Sequence, residues 1–298
     1  MSDARIPCSV IVLTLNEERN VEACLESLRS FADVHVLDSA STDGTCAIAE
    51  RLGANVATNP FAGFGQQRNW GHDHLPLKHK WVLHLDADER MTPLLAAEIE
   101  RAINADDGRF AGYLIAERTL LRGRWLRRAA MYPRYQVRLA HRDRMRYVDH
   151  GHGQRESSSL PFGTFANPYD HLAFSHGTEH WLKKHAGYAA KEATQFAGRA
   201  PSDRPLRALF AGTPLERHRA IKRLAMRVPL RPLIRQFYVL FIRLGVLDGS
   251  VGWEYARMLK LYEQMIDLCI AETQDRPARG EKPRVAGAAD ARLGEIRK

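Results

Sequence analysis

Two aspartates directly follow a run of strand-forming residues in the first third of the chain. The stretch "WVLHLDADE" places Asp86 and Asp88 two positions apart. In an extended turn, carboxylates at this spacing can reach one hard divalent cation, directly or through water. Mg²⁺ or Mn²⁺ held in this way keeps positions open for phosphate oxygens and can neutralise a leaving diphosphate. A solvated strand end would show the same spacing, so the neighbouring motifs decide between the two interpretations.

Another carboxylate occupies the same kind of position earlier in the chain. Asp38 ends the apolar run "VHVL" and opens the turn "DSASTDGT". A carboxylate there can accept a hydrogen bond from a nucleobase imide, although an ordinary Asx turn has the same sequence pattern. The stretch "FAGFGQQRNWG" adds glycines that allow close backbone approach and Arg68 as a ligand for a diphosphate. Together these motifs favour a nucleotide-diphosphate site.

The elements that must position these residues alternate between strand and helix patterns. Strands are predicted at residues 9–15, 33–38, 55–58 and 80–86. This alternation predicts a mostly parallel sheet with helices on both sides, whose ligands bind beyond the carboxyl ends of the strands. Asp38 and Asp86 lie at such ends, and Asn16 and Glu17 lie just past another. We therefore expect these strand ends to form one site.

Helix boundaries can also be predicted from the sequence. Asn16 is predicted as the N-cap of the first helix, whose apolar face comprises Val21, Leu25, Leu28 and Phe31. Thr92 and Pro93 are predicted to open a later helix, in the favoured N-cap and N1 order. Further along, "GYLIAERTLL" and "YQVRLAH" predict strands, and 179–197 predicts a helix. An apolar stripe over 251–269 predicts a helix whose stripe is core or a dimer contact.

The net charge of +9 is concentrated in one segment. Residues 204–243 contain ten Lys or Arg and one acid, Glu216, whereas the rest of the chain balances at 34 basic and 34 acidic residues. A basic helix carrying Phe237, Tyr238 and Phe241 can lie in the headgroup layer of an anionic membrane. The alternative is a solvated basic face whose apolar side packs on the rest of the protein. A nucleic-acid partner is disfavoured, because the cations adjoin an apolar amphipathic segment instead of lining an aromatic groove.

Composition excludes several other classes. The four cysteines show no metal-site spacing, so reduced, buried thiols in a cytosolic protein are expected. The apolar run near the N-terminus is too short for a secretory signal, and no segment approaches the roughly 18 to 20 apolar residues of a membrane-spanning helix. A nucleotidyltransferase is disfavoured because "TLNEERN" is acidic where a basic, glycine-rich loop is expected. A non-catalytic scaffold is disfavoured by the intact pair of aspartates.

Four segments resemble the family 2 glycosyltransferases of the GT-A fold, in order and spacing. They are "SVIVLTLNEERNVEACLESL", "VLDSASTDGT", "FGQQRNWG" and "WVLHLDADE". The resemblance is close over about the first 105 residues. It continues more loosely through "GRWLRRAAMYPRYQVRL", "HWLKKHAGYAAKEA" and "RPLIRQFYVLFIRLGVLDGSVGWEYA". Those later segments look like a bacterial subgroup that builds lipopolysaccharide core and exopolysaccharide.

The resemblance implies an α/β fold of the GT-A type, with a Rossmann-like mixed sheet and a C-terminal helical extension. We accordingly expect a catalytic domain at residues 6–200, with a donor-binding half at 6–105 and an acceptor half at 106–200. A basic amphipathic helical region would follow at 201–272. The remaining residues, 273–298, are polar and are predicted to be a disordered tail.

The resemblance also implies individual roles at the nucleotide. Thr14, Asn16 and Glu17 would lie at the nucleotide pocket, with Glu17 near the ribose. Asp38 would recognise the base. The donor implied is a nucleotide-diphosphate sugar.

At the diphosphate, the resemblance implies that Arg68 approaches the phosphates, that Asp86 contacts ribose or metal, and that Asp88 ligates the metal. The cofactor implied is Mg²⁺ or Mn²⁺. The family inverts the anomeric centre, which requires a general base on the acceptor side.

The general base is expected in "VDHGHGQRE", where this chain departs from the usual pattern of relatives. We favour Glu156, with Asp149 second, because a carboxylate held near Arg155 and histidines can stay ionised and accept a proton. The same loop could instead be solvated or hold acceptor phosphates. His171 and His176 could approach the metal or the acceptor, but a lone histidine is more often structural.

The resemblance, together with the motifs above, thus implies an inverting, metal-dependent glycosyltransferase. Its acceptor would be a lipid-linked saccharide or lipopolysaccharide, and it would lie peripherally on the cytoplasmic face of the bacterial inner membrane.

Overall fold

The computed structural model of the chain describes residues 5–150, 153–197, 228 and 230–275. Its elements follow in this order: β1 (Ile6–Thr14), α1 (Val21–Ser27), β2 (Phe31–Asp38), α2 (Thr45–Arg51), β3 (Asn55–Thr58), α3 (Phe64–His74), β4 (Trp81–Asp86), β5 (Glu89–Arg90), α4 (Pro93–Asn104), β6 (Gly112–Leu121), β7 (Arg124–Trp125), β8 (Arg134–His141), β9 (Arg146–His150), β10 (Gly153–Ser157), β11 (Phe162–Thr164), β12 (Tyr169–His171), α5 (Gly177–Ala197), α6 (Arg231–Phe237) and α7 (Ser250–Asp275). A π-helical turn at Tyr238–Ile242 and a 3₁₀ turn at Gly245–Asp248 separate α6 from α7.

A mixed sheet of ten strands organises the described residues. Its main path runs β3-β2-β1-β4-β8-β6-β12-β5, and β7 and β11 also pair with β6. Strands β1 to β4 are parallel, as the alternating pattern predicts. Strand β8 then runs antiparallel to both β4 and β6. The predicted α/β fold with a mixed sheet is confirmed, although the antiparallel half makes the sheet less parallel than the strand–helix alternation alone suggested.

Both faces of the parallel half are covered by helices. Val10 and Val12 of β1 point into a core that they share with α1, α2 and α4, whereas Ile11 points to the opposite face, against Leu75 and the α3 side. All three β1 residues are fully buried. Each such side chain contributes about 1.5–3 kcal/mol of burial free energy. Coverage on both faces explains why β1 reads as an uninterrupted apolar run.

Two details of the first helix differ from the sequence expectation. Asn16 is not the N-cap: it lies in the left-handed region with φ of 57°, and α1 begins at Val21 after Asn20. A turn intervenes, in which the Asn20 N–H donates to the Glu17 carbonyl. Phe31 is not on the helix either, because the chain has already entered β2 there. In contrast, the predicted cap at the start of α4 is confirmed, since the Thr92 side chain accepts a hydrogen bond from the Leu95 N–H.

The C-terminal helices pack on one another and on the sheet. Helix α7 contacts α5 and α6. Val251, Met258 and Ile266 of the apolar stripe are buried, which confirms the core interpretation for these residues. The helix continues to Asp275, past the predicted start of the tail at 273.

Several predictions fall on residues outside the described ranges. The boundary between 200 and 201, most of the basic segment and the tail from 276 onward belong to this group. Among the helices of the described residues, none combines the length and apolarity that crossing a membrane requires. Of the four free cysteines, Cys8 and Cys24 are buried, but Cys46 and Cys269 are only half-buried.

Candidate active site

The carboxyl ends of three neighbouring strands lie side by side at one edge of the sheet. In the parallel register, Thr14 of β1 stands beside Asp38 of β2, and Leu13 stands beside Asp86 of β4. This arrangement follows from the order β2-β1-β4, in which the first strand is central. The acidic residues at two strand ends therefore flank the same point of the sheet edge.

Asp38 organises the turn that follows β2. Its Oδ1 accepts hydrogen bonds from Thr14 Oγ1 at 2.7 Å and Ser41 Oγ at 2.6 Å, and its Oδ2 accepts from the Ser41 N–H at 2.7 Å. The carboxylate is almost fully buried. Asp38 thus forms the Asx turn that its sequence pattern also allowed. The loop that follows it is more exposed to solvent than the Asp38 carboxylate.

Asn16 ties the loop after β1 to the loop after β2. Its Oδ1 accepts a hydrogen bond from the Thr42 N–H at 2.8 Å, and its own N–H donates to Ser41 Oγ at 2.8 Å. Glu17, the next residue, faces the other way. Its Oε2 accepts from Asn20 Nδ2 at 2.7 Å and lies 3.0 Å from Nε2 of His176, just before α5. The nucleotide-side residues therefore form one wall that reaches the C-terminal helices.

Asp86 is held between two arginines. Arg68 Nη2 lies 3.3 Å from its Oδ1, and Arg138 Nη2 lies 3.1 Å from its Oδ2. Burial alone would raise the pKa of Asp86, but the charges of Arg138 and Arg68 outweigh it and lower the pKa to about 2. Arg68 also donates to Gln154 Oε1 at 2.7 Å. Asp86 is therefore ionised, and Arg68 is already engaged beside the position expected for a diphosphate.

A buried acid beneath Asp86 shares one of these arginines. Glu89 forms an ion pair with Arg138 and accepts a hydrogen bond from the Asp86 N–H at 2.9 Å. Both Glu89 and Arg138 are at most 3% exposed. Burial raises the pKa of Glu89, the contact with Arg138 opposes that rise, and the Asp86 carboxylate adds to it. This pair fixes the backbone of the turn that carries Asp86.

Asp88 faces a second charged group. His171 Nε2 lies 3.3 Å from Asp88 Oδ2, and His171 Nδ1 lies 3.7 Å from Glu117 Oε1. Burial would lower the pKa of His171, but the carboxylates of Asp88 and Glu117 outweigh this effect and raise it to about 10. Glu117 also pairs with Arg134 and accepts a hydrogen bond from Thr119 Oγ1 at 2.9 Å.

The donor set at Asp88 suits a divalent cation. The carboxylate of Asp88 is a ligand that Mn²⁺ accepts, and phosphate oxygens of a substrate could complete the coordination shell. His171 could join as a ligand only by giving up the proton that it shares with Asp88, because a metal binds the neutral imidazole. Asp86 fits less directly, because each of its oxygens already contacts an arginine. Over the described ranges, no three His, Cys, Asp or Glu side chains are arranged to hold a metal by themselves.

The two acids predicted as the general base lie on the β9–β10 hairpin. This hairpin packs against α3. Asp149 Oδ1 accepts a hydrogen bond from the Gly65 N–H at 2.8 Å, at the start of α3. Glu156 stands opposite Tyr147, whose ring packs on His84, two residues before Asp86. Neither acid has a contact with Asp88 in the described part of the chain.

A cavity of about 310 Å³ opens on the other side of Asp88. Its floor includes Glu17, Asp88 and Glu117, and its far wall is formed by residues of α5 and α7. The cavity therefore connects the carboxylate cluster with the C-terminal helices.

Three residues of this cluster were not singled out from the sequence. They are Glu89, Glu117 and Arg138. A signal was present for two of them, since "GYLIAERTLL" and "YQVRLAH" each put charged residues inside an otherwise apolar strand. A buried charge needs a partner. The signal did not reveal which strands supply that partner.

Comparison with known proteins identifies similar sequences. The model of the family described as "Glycosyl transferase family 2" matches residues 9–160. An uncharacterised glycosyltransferase of Rickettsia bellii is 40% identical over 93 residues, which is 31% of each chain. A lipopolysaccharide core biosynthesis glycosyltransferase, LpsC of Rhizobium meliloti, is 28% identical over 148 residues, or 48% of this chain and 54% of LpsC. The chain thus spans between 31% and 54% of the length of these curated relatives.

Solved structures give a distant likeness. Glucosyl-3-phosphoglycerate synthase of Mycobacterium tuberculosis, solved with Mn²⁺ and UDP-glucose, aligns with 24% identity and a TM-score of 0.32, over 38% of this chain and 43% of that one. A further structure of the same enzyme aligns over 65% of this chain and 81% of its own length, with 18% identity and a TM-score of 0.40.

Proposed function

The chain belongs to glycosyl transferase family 2, and on that premise we propose that it is an inverting, metal-dependent transferase. It would move a sugar from a nucleotide-diphosphate donor to a lipid-linked saccharide during synthesis of lipopolysaccharide or another envelope polysaccharide. The observation that carries the proposal is the cluster at the sheet edge. There Asp86, at the end of β4, and Asp88, in the turn after it, meet Arg68, Arg138 and His171 from other parts of the fold.

In this proposal Thr14 and Asn16 form the wall that takes the nucleoside, and Asp38 holds the turn that faces the base. Glu17 stands at the edge of this wall, near the ribose, where the wall meets the cavity. The hydrogen bonds between the two loops support this assignment, because they make the wall rigid before the donor arrives. Because the Asp38 carboxylate is almost fully buried, only its small exposed part could contact the base.

At the diphosphate, Arg68 supplies positive charge and Asp88 supplies a metal ligand. Asp86 would join if an arginine releases it, and His171 would join if the metal displaces its proton. A bound Mg²⁺ or Mn²⁺ would neutralise the charge that develops on the leaving diphosphate. Arg138 keeps Asp86 ionised and in place, and Glu89 fixes the turn below it.

Two groups of residues compete for the role of general base. The proposed residue is Glu156, with Asp149 second, on the hairpin against α3. The rival is the pair of Glu17 and His176, which borders the cavity next to Asp88. A base must come within hydrogen-bond reach of the acceptor hydroxyl, so substitution at these positions separates the candidates.

The likeness to LpsC supports a saccharide of the lipopolysaccharide core as the acceptor. Such acceptors are anchored in a membrane, which agrees with an exposed apolar surface at the C-terminal helices. We call it the α6–α7 apolar surface. It comprises Leu230, Leu233, Ile234, Phe237, Tyr238, Phe241, Ile242, Leu244 and Leu247, which are between 37% and 66% exposed.

Charge supports an anionic membrane as the partner of this surface. It overlaps the C-terminal end of the basic segment at residues 204–243, and each basic residue near an anionic bilayer adds about 1 kcal/mol. Arg231, counted in that segment, is instead buried and pairs with Glu263 and Asp267 of α7. A second copy of the chain is the other occupant that such an apolar surface would suit.

Thermal unfolding in the presence of nucleotides tests the proposed reaction. UDP, GDP and ADP, each with and without Mn²⁺, are added to the full chain, since a ligand that binds only the native state raises the Tm. We expect one nucleoside diphosphate to raise the Tm more with Mn²⁺ than without it. A uniform absence of any Mn²⁺-dependent shift would contradict the proposal.

A further inference from the structure

The cavity beside Asp88 offers a way to identify the class of acceptor. It lies between the sheet edge and α5, so a sugar bound there would meet the donor at Asp88. The inference below rests on the proposed function, because it assigns this cavity to the acceptor of that reaction.

The acids that line the cavity already have partners. Glu17 lies 3.0 Å from His176, Asp88 lies 3.3 Å from His171, and Glu117 is paired with Arg134. The negative charges of Asp88 and Glu117 are therefore largely matched within the protein.

Lys184 is the contrasting residue on the opposite wall. It lines the cavity from α5, and among the described residues no carboxylate lies within ion-pair distance of its ammonium group. Its neighbour Lys183 forms an i,i+4 ion pair with Glu179 on the solvent side of the same helix. His180, one turn before Lys184, adds a second nitrogen donor to this wall. Both side chains are exposed to solvent, so they place a positive charge and a nitrogen donor at the rim of the cavity, where an anion can reach them.

Aromatic rings also line this cavity. Trp181, Tyr188 and Tyr255 line the cavity. The Trp181 ring is fixed by stacking on His185, with centroids 3.9 Å apart. Rigid aromatic rings with polar edges provide an apolar face for a ligand that has both C–H and hydroxyl surfaces. A pyranose ring is such a ligand.

We propose that this cavity binds a phosphorylated saccharide, with its phosphate at Lys184 and its ring along the aromatic wall toward Asp88. The acceptor would then be chosen by charge as well as by sugar shape. A charge-assisted contact to one oxyanion is stronger than a neutral hydrogen bond, so the phosphate sets the affinity and the ring sets the orientation.

Equilibrium binding of small probes tests this assignment without a donor. Glucose 6-phosphate, glucose and inorganic phosphate are titrated into the full chain by calorimetry. We expect saturable binding of glucose 6-phosphate and weaker binding of glucose alone or of inorganic phosphate alone. Lys184→Ala should weaken glucose 6-phosphate binding by about tenfold or more, as expected for loss of a charged hydrogen bond. Lys184→Arg should restore much of it.

Lys183→Ala is the matched control, because it removes the same charge from the adjacent residue outside the cavity. It should bind glucose 6-phosphate as the wild type does. Equal losses of glucose 6-phosphate affinity in Lys184→Ala and Lys183→Ala would show that only the overall positive charge of the helix matters. That result would overturn the assignment. Absence of saturable binding by the wild type at millimolar concentration would also overturn it. Since these titrations contain no nucleotide, their outcome is separate from the Mn²⁺-dependent nucleotide test of the proposed function.

Discussion

Arg138 explains how two carboxylates can lie at the buried end of β4. Its guanidinium contacts Asp86 and Glu89, and its Nε is 3.4 Å from Tyr169 Oη. Removing one member of a buried ion pair leaves an uncompensated charge, which costs about 3–5 kcal/mol. Arg138 therefore stabilises the fold and at the same time sets the charge state of Asp86.

The identity of the general base is a question at the residue scale. If Glu156 accepts the proton from the acceptor, Glu156→Gln should lower kcat by about 10²–10⁴ while donor affinity stays unchanged. The measurement is steady-state transfer together with donor titration. Asp149→Asn is measured beside it, because Asp149 is the second candidate for the base. Asp149 also accepts a hydrogen bond from the Gly65 N–H at the start of α3.

Normal turnover of Glu156→Gln would rule Glu156 out. Glu17→Gln should then show the large loss of kcat instead, since Glu17 lies beside His176 at the cavity.

A buried histidine pair makes stability depend on pH. His72 Nε2 lies 2.8 Å from His84 Nε2. Burial, with Arg146 and Arg142 adding to it, lowers the pKa of His72 from 6.5 to about 4. The unfolded chain therefore binds more protons between these values. The contribution of His72 to the free energy of unfolding should be fully present above pH 6.5 and should be lost as the pH falls toward 4. The expected loss is about 1.4 kcal/mol per pH unit.

Urea unfolding of His72→Gln between about pH 7 and about pH 4.5 checks this dependence. The variant should lose less stability over that range than the wild type. His74→Gln, an exposed histidine on the same helix, should retain the wild-type slope. Equal slopes for the wild type and both variants would show that His72 does not carry the effect.

At the element scale, two helical glycines differ in what surrounds them. A Cβ on Gly252 of α7 would lie 2.0 Å from the Gly245 carbonyl oxygen, so α7 can approach the 3₁₀ turn only without a side chain there. A Cβ on Gly187 of α5 would meet nothing within 4 Å. The same substitution should therefore have opposite effects at the two sites.

We expect Gly252→Ala to lower the free energy of unfolding by about 2 kcal/mol or more, through overpacking. Gly187→Ala should raise it by up to about 1 kcal/mol, because alanine is the better helix former. Denaturant unfolding measures both. A stabilising Gly252→Ala would mean that α7 does not pack closely on the 3₁₀ turn.

The elements also show how far sequence reasoning can reach. Strands β1 and β4 were predictable because coverage on both faces leaves an uninterrupted apolar run, and turn residues mark where each run ends. The site on β6 and β8 was not. Glu117 stands opposite Arg134 only because of the register of two antiparallel strands. That register depends on packing across the sheet, and neither strand alone encodes it.

The first-helix errors have a similar cause. Phe31 continues a helical spacing that begins at Val21, yet it enters the core as the first residue of β2. Apolar spacing identifies buried positions but does not by itself show where an element ends. The left-handed backbone of Asn16 likewise depends on contacts with the loop after β2, which is distant in sequence.

At the scale of the whole molecule, the α6–α7 apolar surface predicts membrane binding. The full chain should co-sediment with vesicles containing anionic lipid, less so with purely zwitterionic vesicles, and less at high salt. The double variant Phe237→Ser/Ile242→Ser should reduce sedimentation, because it removes two of the exposed apolar side chains.

Leu94→Ser is the control, since Leu94 is 69% exposed but lies on α4. It should sediment with vesicles as the wild type does. Self-association without vesicles that disappears in the double variant would instead identify a second copy as the occupant of this surface.

The most direct test of the whole account is donor turnover by Asp88→Ala in the presence of Mn²⁺. Loss of a metal ligand at the leaving group should reduce turnover by at least about a hundredfold, while the variant keeps the wild-type unfolding transition. Asp143→Ala, which removes a half-exposed carboxylate paired with Lys80, should remain near the wild type. Turnover by Asp88→Ala at the wild-type rate, or turnover by the wild type that persists in excess chelator, would contradict the account.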